Sequence, residues 1–132
     1  MFANRLDAGR RLADRLLPDS RIRQTPHDRR LILSIPRGGT VIGQVLAQVL
    51  GCAHEVIVVK KIGFPGQEEY AIGAAAEDGA IALNPEVIER YHLSDAELAP
   101  QIAAARERIA HYIHHFRADQ PLDVGGKLTI VT

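Results

Sequence analysis

The sequence predicts an α/β fold in three layers, with a mainly parallel sheet and helices on both faces. Three observations predict it. First, Leu31–Ile35, Val56–Val59 and Leu128–Val131 are short apolar runs without polar alternation, as strands covered on both faces must be. Second, Val41, Ile42, Val45, Leu46, Val49 and Leu50 recur at helical spacing between the first two runs, making a strand–helix–strand unit of the right-handed parallel kind. Third, the chain breaks at Pro36-Arg37-Gly38-Gly39 and resumes as that helix, the turn expected at the carboxyl edge of such a sheet.

Size and composition narrow the rest. The 132 residues predict a single domain over 1–132, with an N-terminal helix over 2–17 and a core over 31–132. Sixteen basic and sixteen acidic residues cancel without forming blocks, which argues against nucleic acid or a membrane surface as partner and leaves a small anionic molecule. Cys52 is the single cysteine, so no intrachain disulfide or cysteine-only metal site forms, and a reducing, cytoplasmic setting is expected. No stretch approaches the ~20 apolar residues that span a bilayer, and MFANRLDAGRRLADRLL lacks the apolar core of a signal peptide.

In chain order, Phe2, Leu6, Gly9, Ala13 and Leu16 mark one face of an amphipathic helix closed by Pro18. Asp19 to Arg30 is polar and aperiodic, a surface connection. The helix after the glycines ends at Gly51, and Glu55–Lys60 is the second strand. Ile62–Tyr70, with two glycines and a proline, reads as a mobile loop. Ala71–Glu77 is rich in small residues, which suits a strand passing close to another backbone or a ligand; Ala71–Ala76 is expected to join the parallel sheet. Asp78-Gly79 turns the chain into Ala80–Leu83, and Asn84-Pro85 starts another turn. Ser94 and Glu97 form a capping box ahead of the seam Leu98, Ile102, Ala105, Ile109, Tyr112 and Phe116, with Pro100 predicting a kink or a start.

The chemistry-bearing residues follow from these elements. A strand turning over glycines into a helix leaves N–H groups pointing outward, and Arg37 adds a forked, permanently charged donor, so Pro36–Gly39 is a place for an anion. The plain alternative is that Gly38 and Gly39 only serve the bend. Lys60 and Lys61 stand where the second strand emerges and are expected on the same sheet edge as Arg37. His111, His114 and His115 point away from the helix seam without a completing carboxylate or thiol, a solvated face, and no metal site is predicted.

With IPRGG, then VVKKIGFPGQEEYAIGA, and the opening FANRLDAGRRLA, the chain resembles the bacterial predicted phosphoribosyltransferases of the type I fold, from Phe2 to Val131. The resemblance implies a transferase moving a 5-phosphoribosyl group from phosphoribosyl pyrophosphate (PRPP) to a nitrogenous base with release of pyrophosphate. It implies that Pro36, Arg37, Gly38 and Gly39 bind pyrophosphate, with a cis peptide ahead of Gly38. Lys60 and Lys61 neutralise the leaving group, and Gly63–Tyr70 closes over the reacting centre with Glu68 or Glu69 orienting substrate. Lys61, Glu68 and Glu69 are thus the catalytic candidates, and magnesium is expected with PRPP or pyrophosphate.

The family's strand matching Leu128–Val131 runs into an acidic pair and a Thr-Gly loop that hold ribose and 5′-phosphate. This sequence contains no such combination, so the fold is expected to be incomplete at the C-terminus, little activity is expected from these residues alone, and the last strand is expected to seek a partner, as in a homodimer. Two other readings stand beside it. One is a Rossmann-type nucleotide-binding domain, although GGTVIG does not match G-x-G-x-x-G; the other is a non-catalytic association module.

Overall fold

Two three-stranded sheets organise the chain, one parallel and one antiparallel. The computed structural model describes residues 1–132, the side chain of Phe116 excepted, so the Phe116 end of the predicted seam lies outside the described residues. The fold is α/β, as expected. The chain resolves into two compact units, Met1–Ile57 with Leu122–Thr132, and Val58–Pro121.

The first unit holds α1 (Arg5–Leu16), α2 (Ser20–Gln24), β1 (Arg30–Ser34), α3 (Gly38–Leu50), β2 (Ala53–Val56) and β6 (Leu128–Val131). Its strands lie in the order β2-β1-β6, all parallel, with Ile32 level with His54 on one side and Ile130 on the other. Ala13, Ile22, Ile32, Leu46, Ala47 and Leu50 form the core. The α1 seam is buried only at its middle: Gly9 sits so close to α3 that a Cβ there would lie 2.9 Å from the Val45 Cβ, while Phe2 and Leu6 are exposed. Asn4, whose side chain accepts from the Asp7 N–H, caps α1 two residues past Phe2, which explains the later start.

The connection Asp19–Arg30 is more ordered than its polarity suggests. Asp19 caps α2 by accepting from the Arg21 N–H at 2.8 Å. Arg30 is buried, donating from Nε to the Thr25 carbonyl at 2.7 Å and from Nη1 to the Leu50 carbonyl at 3.1 Å. A charged residue is tolerated there because it satisfies an open carbonyl at the end of α3 and another at the end of α2.

The second unit corrects the sequence reading most. The apolar run Val56–Val59 is divided between sheets: β2 stops at Val56, and Val59 begins β3 (Val59–Phe64), which pairs antiparallel with β4 (Gln67–Ala76), itself paired with β5 (Ile81–Leu83). Ala71–Ala76 is therefore part of the antiparallel sheet. Its small residues serve a close backbone approach, since a Cβ on Gly73 would meet the Ala82 carbonyl oxygen. Ile62–Tyr70 is a hairpin: Pro65 and Gly66, the latter at φ +79°, turn the chain in two residues.

Asn84-Pro85 opens a helix, α4 (Pro85–Tyr91), with Asn84 as its cap. The capping box of Ser94 and Glu97 starts α5 (Asp95–Arg117), so Pro100 falls in the second turn instead of beginning the helix. Val58, Ile62, Ile72, Ala75, Leu98, Ala105 and Ile109 make the core of this unit. Glu77 braces it by accepting from the Val58 N–H at 2.7 Å and pairing with Arg117.

Candidate functional site

β1 ends at Ser34, three residues cross the sheet edge, and α3 begins at Gly38 with Arg37 at its N-cap. The N-cap side chain makes no hydrogen bond to this helix start, so its first N–H groups, which have no intrahelical partner, go without that cap. The cis peptide lies one bond earlier than expected, between Pro36 and Arg37. Arg37 is exposed. A Cβ placed on Gly38 would stand 3.3 Å from the Arg5 Nε, so α1 delivers a second guanidinium to the same turn. The sequence does not single out Arg5, which shares α1 with Arg10, Arg11 and Arg15.

Gly39 has a different reason for being glycine. A side chain there would run into the carbonyl of Thr132, which accepts from the Ile35 N–H at 2.8 Å. The missing Cβ makes room for the end of β6. From this crossing a polar chain runs back across the sheet. The Thr132 hydroxyl donates to the Gly39 carbonyl at 3.2 Å, Thr132 Oγ1 lies 2.8 Å from the wholly buried Ser34 Oγ, and that atom lies 2.8 Å from His54 Nε2.

Hydrogen counting fixes the direction of each bond. With the Thr132 hydrogen on a carbonyl, the Ser34 hydroxyl donates to Thr132, and His54 must donate to Ser34 from a protonated Nε2. Burial holds the His54 imidazole below its usual range despite the opposing pull of Glu55. Gly43 faces this chain, and a Cβ on it would strike Ser34 Oγ. Cys52 lines a shallow cleft beside His54 with Gln44 and Gln48, and its thiol is pushed up by burial, which makes it a poor nucleophile.

The two lysines are not at the emerging end of a parallel strand. Lys60 and Lys61 lie inside β3, level with Ala75 and Ala74, and successive strand residues point to opposite faces. The Lys60 Nζ lies 5.0 Å from the centre of the Tyr112 ring on α5, whereas Lys61 Nζ pairs with Glu69 Oε2 at 2.7 Å. This ion pair holds the Glu69 carboxyl below its usual range. Register jumps from Gly63 opposite Ala71 to Phe64 opposite Gln67, so Glu68, Glu69 and Tyr70 bulge from the ladder. Gly63 permits the bulge, because a Cβ on it would lie 2.7 Å from the Glu68 Cα. Phe64, Tyr70 and Tyr91 pack their rings at 5.0–6.5 Å and fix the hairpin against α4.

On α5, His111 and His115 stack with ring centres 5.6 Å apart, and His114 pairs with Asp119 at 2.8 Å. Among the described residues no three His, Cys, Asp or Glu side chains converge as metal ligands, and no helix is long and apolar enough to cross a membrane.

With this geometry in view, comparison with known proteins is informative. No family model matches the chain. Two proteins of Mycobacterium tuberculosis, from strains CDC 1551 / Oshkosh and H37Rv, are each 39% identical to it over 98 residues, and both bear the name "putative phosphoribosyl transferase". The chain resembles the phosphoribosyltransferases. The match takes in 74% of this chain but 21% of each relative, so the chain spans about a fifth of their length. The crystal structure of TT1426 from Thermus thermophilus superposes with a TM-score of 0.72 at 28% identity, covering 98% of this chain and 59% of that one. The phosphoribosyltransferase-like sequence thus has the same kind of α/β fold as that solved structure over nearly its full extent.

Proposed function

We propose that this chain carries the leaving-group end of a phosphoribosyltransferase site, which transfers a 5-phosphoribosyl group from PRPP to a nitrogenous base. One observation carries the reading: the uncapped start of α3, with Arg37 at its N-cap and the Arg5 guanidinium against Gly38. In the reaction the bond from ribose C1 to the pyrophosphate oxygen breaks, its electron pair leaves with pyrophosphate, and a lone pair on the base nitrogen forms the new bond to C1. Negative charge gathers on the leaving group. Fixed amides and guanidinium groups aimed at it stabilise that charge without reorganising.

Magnesium belongs to this reading as part of the substrate. The turn offers N–H and guanidinium donors, which suit phosphate oxygens, and an ion held by those oxygens and water asks no cage of the protein. Within the second unit, Lys61, Glu68 and Glu69 are proposed as catalytic residues, with Glu69 orienting Lys61 through their ion pair. Lys60 faces α5 and is left out of this set. The names of the mycobacterial relatives support the reaction class. Ribose and 5′-phosphate need a grip of their own, and positioning of this kind supplies as much as ~7–11 kcal/mol of a barrier. The sequence has no acidic pair followed by Thr-Gly, so residues 1–132 alone are proposed to turn over PRPP slowly.

The binding part is tested by titrating residues 1–132 with magnesium pyrophosphate at rising salt. Binding should weaken with salt, because charge neutralisation supplies much of it, and an Arg5→Ala, Arg37→Ala double variant should lose at least about tenfold. Equal binding by the double variant would overturn the assignment. The catalytic part is tested with labelled PRPP, magnesium and a panel of bases, using residues 1–132 and one full-length mycobacterial relative. Comparable turnover by the two would refute the slow-turnover claim.

A further inference from the structure

The α5 face of the second unit carries a second collection of cations that the pyrophosphate reading does not use. Lys60, Glu107, Arg108, His111, Tyr112 and His115 line an open cleft of about 570 Å³, within the size range of small-ligand sites. Lys60 comes from β3 and the other five from α5, so one strand and one long helix fix the lining. The Lys60 ammonium stands over the Tyr112 ring, and no carboxylate among the described residues pairs with it. Arg108 reaches the edge of the Glu68 carboxylate at 4.0 Å, in solvent, and donates from Nε to the Ala104 carbonyl at 3.3 Å. The Lys60 and Arg108 head groups therefore share the cleft with one carboxylate, that of Glu107.

Beside them the His111 and His115 rings, one helical turn apart on α5, stack with 22° between their planes. Lysine and arginine charge next to flat rings is what a planar aromatic anion requires: charge-assisted hydrogen bonds at one end and stacking at the other. Much of the lining is side-chain stem and ring, so the planar part would leave water as it binds.

We propose that this cleft binds a small planar aromatic phosphate, with the phosphate between Lys60 and Arg108 and the ring against the stacked imidazoles of His111 and His115. The site uses no residue of the Pro36–Gly39 turn and stands whether or not that turn binds pyrophosphate.

The probe is adenosine monophosphate, titrated into residues 1–132 by calorimetry and followed by NMR of the histidine rings. Expected is binding that shifts His111 and His115, with adenosine and inorganic phosphate each about tenfold weaker, since each supplies one half of the contact. Lys60→Gln and Arg108→Gln should each weaken binding by about tenfold. Lys61→Gln, the neighbouring residue on the opposite strand face, should leave it within about twofold. Adenosine monophosphate binding no tighter than inorganic phosphate, or indifferent to Lys60→Gln, would overturn the proposal. So would shifts confined to the Gly38–Thr40 amides with the imidazoles unmoved.

Discussion

The turn after β1 and the β3–β4 hairpin both present glycines beside basic residues, yet they are built on opposite terms. At the turn, backbone does the arranging: a helix start without a cap, a glycine giving way to the end of β6, and guanidinium groups added from α1 and from the N-cap. In the hairpin, side chains do it, and strand alternation sends Lys60 and Lys61 to different faces with different partners. Two adjacent charges in sequence are one site only where the backbone lets them face the same way. The turn gathers residues 5, 37, 38 and 132 into one place; the hairpin separates 60 from 61.

This contrast is open to attack, most forcefully at Gly39. A Cβ there meets backbone, which has no rotamer to move aside, so Gly39→Ala should destabilise the first unit by about 1–3 kcal/mol and abolish pyrophosphate binding. Urea unfolding with calorimetric titration measures both. Gly63→Ala should cost less, about 1 kcal/mol, because the Glu68–Tyr70 bulge is exposed and can shift, and its amide resonances should move while those of Gly38–Thr40 stay.

The polar chain behind the turn gives a pH signature. The folded His54 lies below its ordinary value of 6.5, so the unfolded chain binds the proton more readily than the folded one. That contribution to stability is therefore complete above about pH 6.5 and is lost as pH falls through the unfolded and then the folded value. A melting-temperature profile should slope downward on the acid side, and His54→Gln should flatten it. Long-range nitrogen–proton NMR should show the neutral ring protonated at Nε2; a ring protonated at Nδ1 alone would mean the bond order through Ser34 runs the other way. The smallest effect is expected at Glu69. Its pair with Lys61 is solvent-exposed, so Glu69→Gln should leave stability unchanged within error, and any loss would appear only in turnover.

The first unit was readable because its signals are local. A doubly buried run, a Pro-Arg-Gly-Gly break and a helical stripe follow one another within twenty residues of Leu31, and the structure puts β1 and α3 there. The second unit defeated the reading where continuity of hydrophobicity hid a change of sheet: nothing in Val56–Val59 marks that the ladder partner changes after Val56. Pro65-Gly66 punctuates a stretch whose composition suggests a loop, although this pair suits the two central positions of a tight turn. The opposed faces of Lys60 and Lys61 followed from strand alternation once β3 was known, and placing the pair at a strand end obscured it. Arg5, Ser34, His54 and Thr132 were not legible, since each gains its role from a contact far along the chain.

The Ser34–Thr132 contact spans 98 positions of sequence, and it gives the turn a place in time. The strand and helix that bracket Pro36–Gly39 can pair and coil soon after they leave the ribosome. The carbonyl of Gly39 gains its side-chain partner only when β6 has emerged and docked beside β1. At ordinary synthesis speeds of ~5–20 residues per second, that interval lasts roughly 5–20 s. During it the nascent chain carries the arginines and the glycines but not the strand end that fixes them, and β1 keeps an unpaired edge on the side β6 will take. A strand made long after the turn thus completes the site that the turn begins.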